Sequence, residues 1–421
     1  MNTASYGEFS LALHEKFTNK RVPMDVTLEV TRRCPLECQH CYNNLAMGDL
    51  AARNQELTKE EYFAILSELA DMGAIWLLFT GGEIFARKDF LEIYAFANKK
   101  GFLVTLFTNG ILINEKIADY LLEVPPFAIE ITLYGRTKQT YEALTQMPGS
   151  YERCLRGIHL LLERGLPLKL KTVATKINRH EVVAMREFAE DELGVEFKFD
   201  SLINPRIDCS QSPVAVRLSP EEVVALDTHW EKLAAEHRKN LHRELDGPPP
   251  NVNRAVYSCG GGIKSFAIDP NGKMSICVLS HQDTYDIRSG SVRQGWDEFL
   301  LKVRQKQRAH PPTKCVECRI HSVCSMCPAN GELENGNPES PVEFLCEVAH
   351  LRARALGFSI PPHGDCELCS DGFRKSELDN AVRRIVSKKI NPQNWTARQP
   401  DLHVLNDSSA NLGCGGCGSS H

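Results

Sequence analysis

The sequence has 421 residues, of which 42% are apolar and 24% charged, so it can form a large globular core. The formal net charge of −5 gives no electrostatic support for a nucleic-acid partner or an anionic membrane. No apolar run reaches the 18 residues of a membrane-spanning helix, and the acidic N-terminal stretch lacks the features of a secretory signal, so we expect a cytoplasmic protein with no membrane partner.

Strand-like and helix-like segments alternate from about residue 24 to residue 205. The strand-like segments are short and apolar, and they occupy residues 24–31, 74–83, 102–110, 127–135, 168–175 and 196–205. The helix-like segments occupy residues 58–73, 89–101, 114–124, 150–165, 179–193 and 219–240. The first of them begins with a capping box of Thr58 and Glu61. This alternation predicts an α/β fold with parallel strands, either barrel-like or doubly wound.

Polar residues follow the strand-like segments, at the end where ligands collect in parallel barrels and sheets. They comprise three cysteines after the first strand and residues 80–83, 108–110, 134–135, 171–175 and 204–206. A buried core alone does not explain why each strand ends in this way. We therefore predict a ligand site at this end.

The stretch CPLECQHCY, residues 34–42, places Cys34, Cys38 and Cys41 within eight positions. Three interpretations fit this spacing. The cysteines could line one face of a buried helix, or they could bind zinc with His40 as the fourth ligand. They could also hold an iron–sulfur cluster that leaves one iron open for another ligand.

Fourteen of the 16 cysteines fall into tight groups. In a reducing compartment, such groups indicate metal ligands rather than disulfides. The groups after the first are Cys259 with Cys277, Cys315 with Cys318, Cys324, Cys327 and Cys346, Cys366 with Cys369, and Cys414 with Cys417. Residues 259–346 contain few long periodic segments, apart from a hairpin with its turn at Asn271-Gly272, so we expect metal to hold this region together.

The first motif resembles the signature of the radical S-adenosylmethionine (SAM) superfamily, because Cys34-x3-Cys38-x2-Cys41 follows the first strand and TGGE follows the second. The resemblance covers roughly residues 24–210 and implies a partial (β/α)6, TIM-like barrel. It implies that Cys34, Cys38 and Cys41 hold a catalytic [4Fe–4S] cluster whose fourth iron is chelated by SAM. Reductive cleavage of SAM would then give a 5′-deoxyadenosyl radical that abstracts a hydrogen atom from the substrate.

The same resemblance implies contacts to SAM. Tyr42 would pack near the cluster and the adenine, Gly81 and Gly82 would let the backbone approach the methionine moiety, and Glu83 would pair with its ammonium group. Further candidates for contacts with SAM or substrate are Thr80, Asn109, Glu130, Thr132 and Lys171. For Glu130, the alternative is a satisfied polar residue of the barrel interior.

The second half of the chain resembles the SPASM domain, which carries auxiliary iron–sulfur clusters behind many radical SAM barrels. By this resemblance, the ligands of an outer [4Fe–4S] cluster would be Cys315, Cys318, Cys324 and Cys346, and those of an inner one Cys259, Cys277 and Cys327. The chain departs from the family pattern between Cys324 and Cys327, where two residues stand instead of three. The fourth inner ligand is open between the substrate, Cys209 and a cysteine of the C-terminal segment, and zinc is the alternative metal.

Two CxxC pairs, Cys366 with Cys369 and Cys414 with Cys417, lie outside both resemblances. Together they could form a tetrahedral zinc site, although their separation exceeds the usual spacing. They could also hold a further cluster, or the glycine-rich tail could be a flexible thiol arm.

These observations predict five segments. They are an N-terminal segment (1–23), a radical SAM barrel (24–240), a linker (241–258), a small cysteine-rich SPASM domain (259–350) and a polar C-terminal extension (351–421).

We predict a radical SAM oxidoreductase that modifies a peptide or protein by a thioether or carbon–carbon crosslink, epimerisation or oxidation. The alternative is an enzyme of tetrapyrrole, sugar or cofactor biosynthesis. A plain electron-transfer protein is disfavoured, because it needs no TGGE segment. The expected partners are a peptide or protein substrate, an electron donor such as flavodoxin or ferredoxin, and a separate leader-binding protein, since the first 23 residues are too few for a winged-helix module.

Overall fold

The structure is a computed structural model that describes residues 6–17, 20–248, 255–309, 314–369 and 372–397. The strands are β1 (Asp25–Glu29), β2 (Arg33–Cys34), β3 (Leu45–Ala46), β4 (Trp76–Thr80), β5 (Leu103–Thr108), β6 (Ala128–Thr132), β7 (Leu168–Val173), β8 (Phe197–Asp200), β9 (Ser265–Ile268), β10 (Lys273–Ser275) and β11 (Tyr285–Asp286). Nine of them form one sheet in the order β11-β10-β9-β1-β4-β5-β6-β7-β8, and β2 pairs with β3.

The helices lie mainly between and after the strands of this sheet. They are α1 (Tyr6–Lys16), α2 (Leu50–Gln55), α3 (Lys59–Asp71), α4 (Phe90–Lys99), α5 (Glu115–Glu123), α6 (Lys138–Thr145), α7 (Ser150–Glu163), α8 (Val182–Glu187), α9 (Pro220–His229), α10 (Glu231–Leu245), α11 (Val292–Gln294), α12 (Leu301–Arg304), α13 (Lys314–Glu317), α14 (Pro328–Asn335), α15 (Glu343–Ala355) and α16 (Lys375–Val386). The capping box predicted at Thr58 and Glu61 is confirmed at the start of α3. None of the helices in the described ranges is long and apolar enough to cross a membrane.

The six strands β1 and β4–β8 are parallel neighbours in chain order. A doubly wound sheet reverses its strand order at a switch point, whereas a barrel adds each strand beside the preceding one. The unbroken order therefore decides between the two predicted architectures in favour of a partial barrel. The predicted α/β fold class is confirmed.

Alternate residues of the barrel strands face the helices and the barrel interior. The helix-facing residues form the core, and those with no exposed surface include Leu28, Phe79, Leu106, Ile131 and Leu170. On the opposite face of these strands, side chains are polar or only partly buried. The interior therefore has room and polar groups for ligands.

The predicted hairpin at residues 265–278 is confirmed as β9 and β10, with Gly272 in the turn at a φ of +81°. Strand β9 also pairs in parallel with β1, with Asp25 opposite Ser265 and Leu28 opposite Ile268. This pairing was not predicted. It makes the hairpin a continuation of the barrel sheet.

The prediction of one continuous helix at residues 219–240 is wrong, because this segment forms two helices, α9 and α10. Trp230 stands between them with extended backbone angles of −99° and 111°. Its ring packs on Phe199 at the end of the barrel, with 4.5 Å between the centroids. Docking of the tryptophan on the barrel thus accompanies the break, and helical periodicity alone did not reveal it.

Helix α15 connects the C-terminal half to the barrel. Arg352 of α15 donates from Nη2 to Asp227 Oδ2 of α9 at 2.6 Å, and both side chains are buried. The helix also crosses the predicted boundary between residues 350 and 351. The division of the C-terminal half into a SPASM domain and an extension therefore stays a proposal.

Candidate active site and metal centres

The first cysteine motif lies in a loop at the C-terminal end of β1. The parallel pair of β2 and β3 closes this loop at its base, with Cys34 opposite Ala46. Residues 35–44 are not helical, so the interpretation of the motif as one face of a buried helix is wrong. Cys34 and Cys38 are buried and Cys41 is partly buried. Burial raises the pKa of the Cys34 thiol to about 12, so the cation of a bound metal centre is needed to keep it deprotonated.

The Cys38 thiol interacts electrostatically with Cys41 and Cys34, so the loop brings the three thiols together. His40 packs its ring on Tyr134 at a centroid distance of 5.3 Å. Burial lowers the pKa of His40 to about 4. The structure thus brings Cys34, Cys38 and Cys41 together, and the metal that they hold stays a prediction.

Gly81 and Gly82 lie directly against the chain that leads into the cysteine loop. The N–H of Gly82 donates to the Thr31 carbonyl at 2.7 Å. A Cβ on Gly81, whose φ is +133°, would lie 2.1 Å from the Thr31 oxygen, and one on Gly82 would lie 2.5 Å from the Arg32 oxygen. The two glycines are therefore required by this contact between loops, while their approach to the methionine moiety stays a prediction.

Glu83 joins the ends of β4 and β5. Its carboxylate is 1% exposed and accepts hydrogen bonds from the Thr108 hydroxyl at 2.7 Å and the Asn109 N–H at 2.8 Å. Burial raises the pKa of Glu83 to about 7, although these hydrogen bonds oppose the shift. The Asn109 amide nitrogen lies 3.5 Å from Cys34 Sγ. Glu83 thus positions Asn109 beside the first cysteine, and its predicted pairing with an ammonium group is not tested.

Glu29, at the end of β1, supports the cysteine loop and was missed by the sequence reasoning. It is buried and accepts hydrogen bonds from the Tyr42 hydroxyl at 2.8 Å and the Asn43 amide at 2.7 Å. Burial raises the pKa of Glu29. The carboxylate therefore fixes Tyr42, whose contact with the cluster and adenine remains a prediction. The acidic residue inside the apolar segment 24–31 was the available signal.

Arg206, in the loop after β8, holds the other side of the cysteine loop. Its guanidinium donates to the Cys41 carbonyl at 3.2 Å and to the Asn44 side chain and carbonyl, both at 2.8 Å. The Ile207 N–H donates to the Tyr42 carbonyl at 2.9 Å. The loops that follow the first and last strands of the barrel thus contact each other beside the thiols. The open cavity beside Cys38 and Cys41 measures about 500 Å³ and also borders Arg206.

Three predicted residues line the barrel interior farther along the sheet. Lys171 lies 3.3 Å from Glu130, and its ammonium is 2.8 Å from the centroid of Phe107. Lys198 contacts the same carboxylate at 3.4 Å. Burial lowers the pKa of Lys171 to about 8, while the Glu130 carboxylate opposes this shift. Thr132 is opposite Lys171 on the neighbouring strand, and Thr80 is the last residue of β4. Glu130 is therefore paired with two lysines, which agrees with the alternative of a satisfied polar residue in the barrel interior. Contacts of these residues with SAM or substrate stay predictions.

The cysteines of the second half separate into two groups. One small cavity is lined by all four predicted ligands of the outer cluster, Cys315, Cys318, Cys324 and Cys346. In the other group, the Cys277 thiol interacts electrostatically with Cys327 and Cys259, the three predicted inner ligands. The grouping follows the predicted sets, and the metal in each remains a prediction.

Two predictions concern cysteines outside these groups. Cys209 has a φ of +64°, and its Sγ lies 3.9 Å from the carbonyl of Glu332 in α14. Its service as an inner ligand is not tested. Cys366 and Cys369 are buried, beside His350 and His363, while Cys414 and Cys417 lie outside the described residues.

A partial parallel barrel with three thiols at the end of its first strand is the architecture of radical SAM enzymes, and the radical SAM superfamily model matches residues 28–189. Fe-coproporphyrin III synthase of Methanosarcina barkeri is 31% identical over 344 residues, which span 74% of this chain and 84% of that protein. PqqA peptide cyclase of Granulibacter bethesdensis is 31% identical over 350 residues, which span 78% of this chain and 90% of that protein. The chain belongs to the radical SAM superfamily, as the sequence resemblance indicated.

The solved structure of Streptococcus suis SuiB bound to S-adenosylmethionine has a similar fold. The TM-score is 0.59 at 15% sequence identity, and the similarity covers 82% of each chain. The likeness extends beyond the barrel into the cysteine-rich half. It supports the fold of both halves.

Proposed function

We propose that this protein is a radical SAM enzyme that abstracts a hydrogen atom from a peptide or protein substrate and so modifies it. The observation that carries the proposal is the convergence of Cys34, Cys38 and Cys41 at the barrel end, next to the TGGE segment. The similarity to PqqA peptide cyclase supports a peptide as the substrate.

The donor set fits a [4Fe–4S] cluster, because soft thiolates suit iron and the three thiols lie on one short loop and interact with one another. Cys34, Cys38 and Cys41 would hold it. When bound, the cluster supplies the electron for reductive cleavage of SAM, and the resulting radical takes a hydrogen atom from the substrate.

The surrounding residues hold the thiol loop in place. Glu29, at the end of β1, accepts a hydrogen bond from Tyr42. Arg206, in the loop after β8, donates hydrogen bonds to the carbonyls of Cys41 and Asn44. Asn109 approaches Cys34 from β5. A loop held from three strands keeps its ligands positioned, which favours a reaction that depends on short distances.

The open cavity beside the thiol loop favours a peptide over a polyanionic tetrapyrrole. Besides Cys38 and Cys41, its lining includes the amide or hydroxyl side chains of Gln39, Asn44, Gln146 and Ser212. Its charged lining residues are one acid, Glu37, and one base, Arg206. Amide side chains can both donate to and accept from a peptide backbone, whereas several carboxylates would require several cations.

A small-molecule substrate is the second candidate, because Fe-coproporphyrin III synthase is as similar to this chain as the peptide cyclase is. In either case we propose two auxiliary clusters in the second half, an electron donor such as flavodoxin or ferredoxin, and for a peptide substrate a separate leader-binding protein. Iron in the anaerobically reconstituted protein should then approach about twelve atoms per chain, as three [4Fe–4S] clusters require.

The test is to incubate the reconstituted protein with SAM, a reductant and either synthetic peptides from neighbouring short reading frames or coproporphyrin. We expect 5′-deoxyadenosine in both incubations, and a change in mass or solvent-deuterium uptake only for a peptide. Gln39→Ala with Gln146→Ala should raise the KM for the peptide by roughly 30-fold, since two lost hydrogen bonds cost about 2 kcal/mol together.

The control is Gln55→Ala, an exposed glutamine at the end of α2 that does not border the cavity. It should leave the KM unchanged. Conversion of coproporphyrin without any change in the peptides would overturn the peptide proposal. Absence of 5′-deoxyadenosine from a fully iron-loaded protein would overturn the radical activity itself.

A further inference from the structure

We infer that His350, His363, Cys366 and Cys369 form a mononuclear zinc site that adjoins the proposed outer iron–sulfur centre. One donor atom from each side chain lies within 4.8 Å of every other. All four residues are buried, with exposed fractions of 1%, 8%, 5% and 0% in that order. Polar groups this deeply buried require a partner, and two thiols with two imidazoles are a donor set that zinc prefers.

The distances match a tetrahedron around one ion. His350 Nε2 lies 3.4 Å from Cys366 Sγ and 3.8 Å from Cys369 Sγ. For His363, Nδ1 is 3.0 Å and Nε2 3.8 Å from Cys369 Sγ, so either ring nitrogen reaches the site. Zn–S and Zn–N bonds of usual length set the edges of such a tetrahedron at about 3.3–3.8 Å.

The backbone orients His350 toward the two thiols. Its Nδ1 lies 2.7 Å from the carbonyl oxygen of Cys346, one turn earlier in α15, and donates to it. This hydrogen bond assigns the proton to Nδ1 and leaves the Nε2 lone pair for a metal. Histidine ligands of zinc usually have an outer partner of this kind.

The same geometry argues against an iron–sulfur cluster at these residues. A cubane binds each thiolate to a different iron and so holds its ligands farther apart than one ion does. The histidines also complete the coordination of Cys366 and Cys369, so the site does not require the distant pair Cys414 and Cys417.

The zinc site shares a wall with the proposed outer cluster. His350 and His363 line the cavity that also contains Cys315, Cys318 and Cys346. Helix α15 thus presents Cys346 to the outer cavity and His350 to the zinc. The zinc would tie the loop around residues 361–369 to α15 and cover the outer cavity on that side.

The test begins with the full-length wild-type protein, purified anaerobically and loaded with iron. We expect about one zinc per chain in addition to the iron, and X-ray absorption at the zinc edge that fits two sulfur and two nitrogen ligands. Protein with a full iron complement and no zinc would overturn the inference. So would a zinc shell of three or four sulfurs.

Variants then identify the ligands. Cys366→Ser with Cys369→Ser should lose the zinc while cleavage of SAM, which depends on the barrel thiols, remains. The matched control, Cys414→Ser with Cys417→Ser, should keep the zinc, and its loss from that control would show that the two CxxC pairs form the site instead. If the first variant does not fold, cobalt-substituted wild-type protein decides the question, because two thiolates and two imidazoles give a tetrahedral cobalt spectrum that differs from that of four thiolates.

Discussion

The barrel and the cysteine-rich half of this protein use different means to hold their structure. The barrel core is made of apolar side chains that leave no surface exposed, such as Phe79, Leu106 and Ile131, on strands paired along their length. Residues 314–369 contain α15 and two shorter helices, and their buried groups include His350, Cys318 and Cys369 beside apolar residues such as Leu351. We expect the stability of a core of this second kind to depend on ligation of its thiols and imidazoles.

Cysteine thus has a different role in each of the two regions. The three thiols of the barrel lie on a loop outside the apolar core, so we expect their metal centre to contribute to catalysis rather than to stability. The thiols of the second half lie inside the fold they support. Loss of metal should therefore remove activity from the first region and structure from the second.

The largest effect is expected from Cys34→Ala, Cys38→Ala and Cys41→Ala together. This variant should reduce cleavage of SAM to the background rate, because no ligands remain for the proposed cluster. Its free energy of unfolding should change by less than about 2 kcal/mol, since the loop stays attached through Glu29 and Arg206. The measurements are 5′-deoxyadenosine formation and urea unfolding. Residual 5′-deoxyadenosine above background would contradict the assignment of these three thiols.

Anaerobic chelation of all metals should unfold the second half and spare the barrel. Structural zinc in small domains contributes on the order of 10 kcal/mol, so its removal together with the auxiliary clusters exceeds the usual stability of a region of this size. Hydrogen exchange should accelerate at least about 100-fold in α13 and α15. Strands β5 and β6 provide the internal control and should keep their protection from exchange. Equal acceleration in both regions would contradict the claim that only the second half depends on metal for its stability.

A smaller effect is expected where the two regions meet, at the buried pair of Asp227 and Arg352. Asp227→Asn should lower the free energy of unfolding by about 3–5 kcal/mol, because it leaves the guanidinium buried without a counter-charge. The control is Glu221→Gln on the same helix, whose partner Arg384 is about half exposed. That exposed pair should contribute at most about 1 kcal/mol. Equal losses of unfolding free energy in the two variants would mean that the buried pair does not stabilise the contact between the two halves.

The smallest effect concerns Lys171, inside the barrel. Burial lowers its pKa in the folded protein from 10.5 to about 8. Between these values the unfolded chain binds the proton and the folded protein does not, so the Lys171 contribution to stability rises with pH over this window, by at most about 3 kcal/mol. Lys171→Met should remove this rise in unfolding experiments from pH 8 to pH 10.5. Lys169→Met, on the same strand beside Glu196, should retain it, and the same slope in both variants would exclude Lys171 as its source.

Local signals in the sequence predicted the barrel elements and the thiol loop. The capping box at Thr58 depends on two residues three positions apart, and the apolar strand segments repeat before each polar end. For the zinc site the sequence pointed only to Cys366 and Cys369, because His350 is one of many polar residues in a helix and His363 is separated from it by a loop. Pairing of β9 with β1, and the hydrogen bonds of Glu29 to Tyr42 and Asn43, depend on how the chain returns in three dimensions.

The parallel pairing of β1 with β9 has a consequence for synthesis on the ribosome. Asp25 leaves the ribosome about 240 residues before its neighbour Ser265. At about 5–20 residues per second, one edge of β1 therefore waits roughly 10–50 s for its strand, while β4 can cover the other edge much earlier. An open edge pairs readily with other chains. The nascent protein is consequently most prone to aggregation in this interval, and a pause in translation before residue 265 would lengthen it.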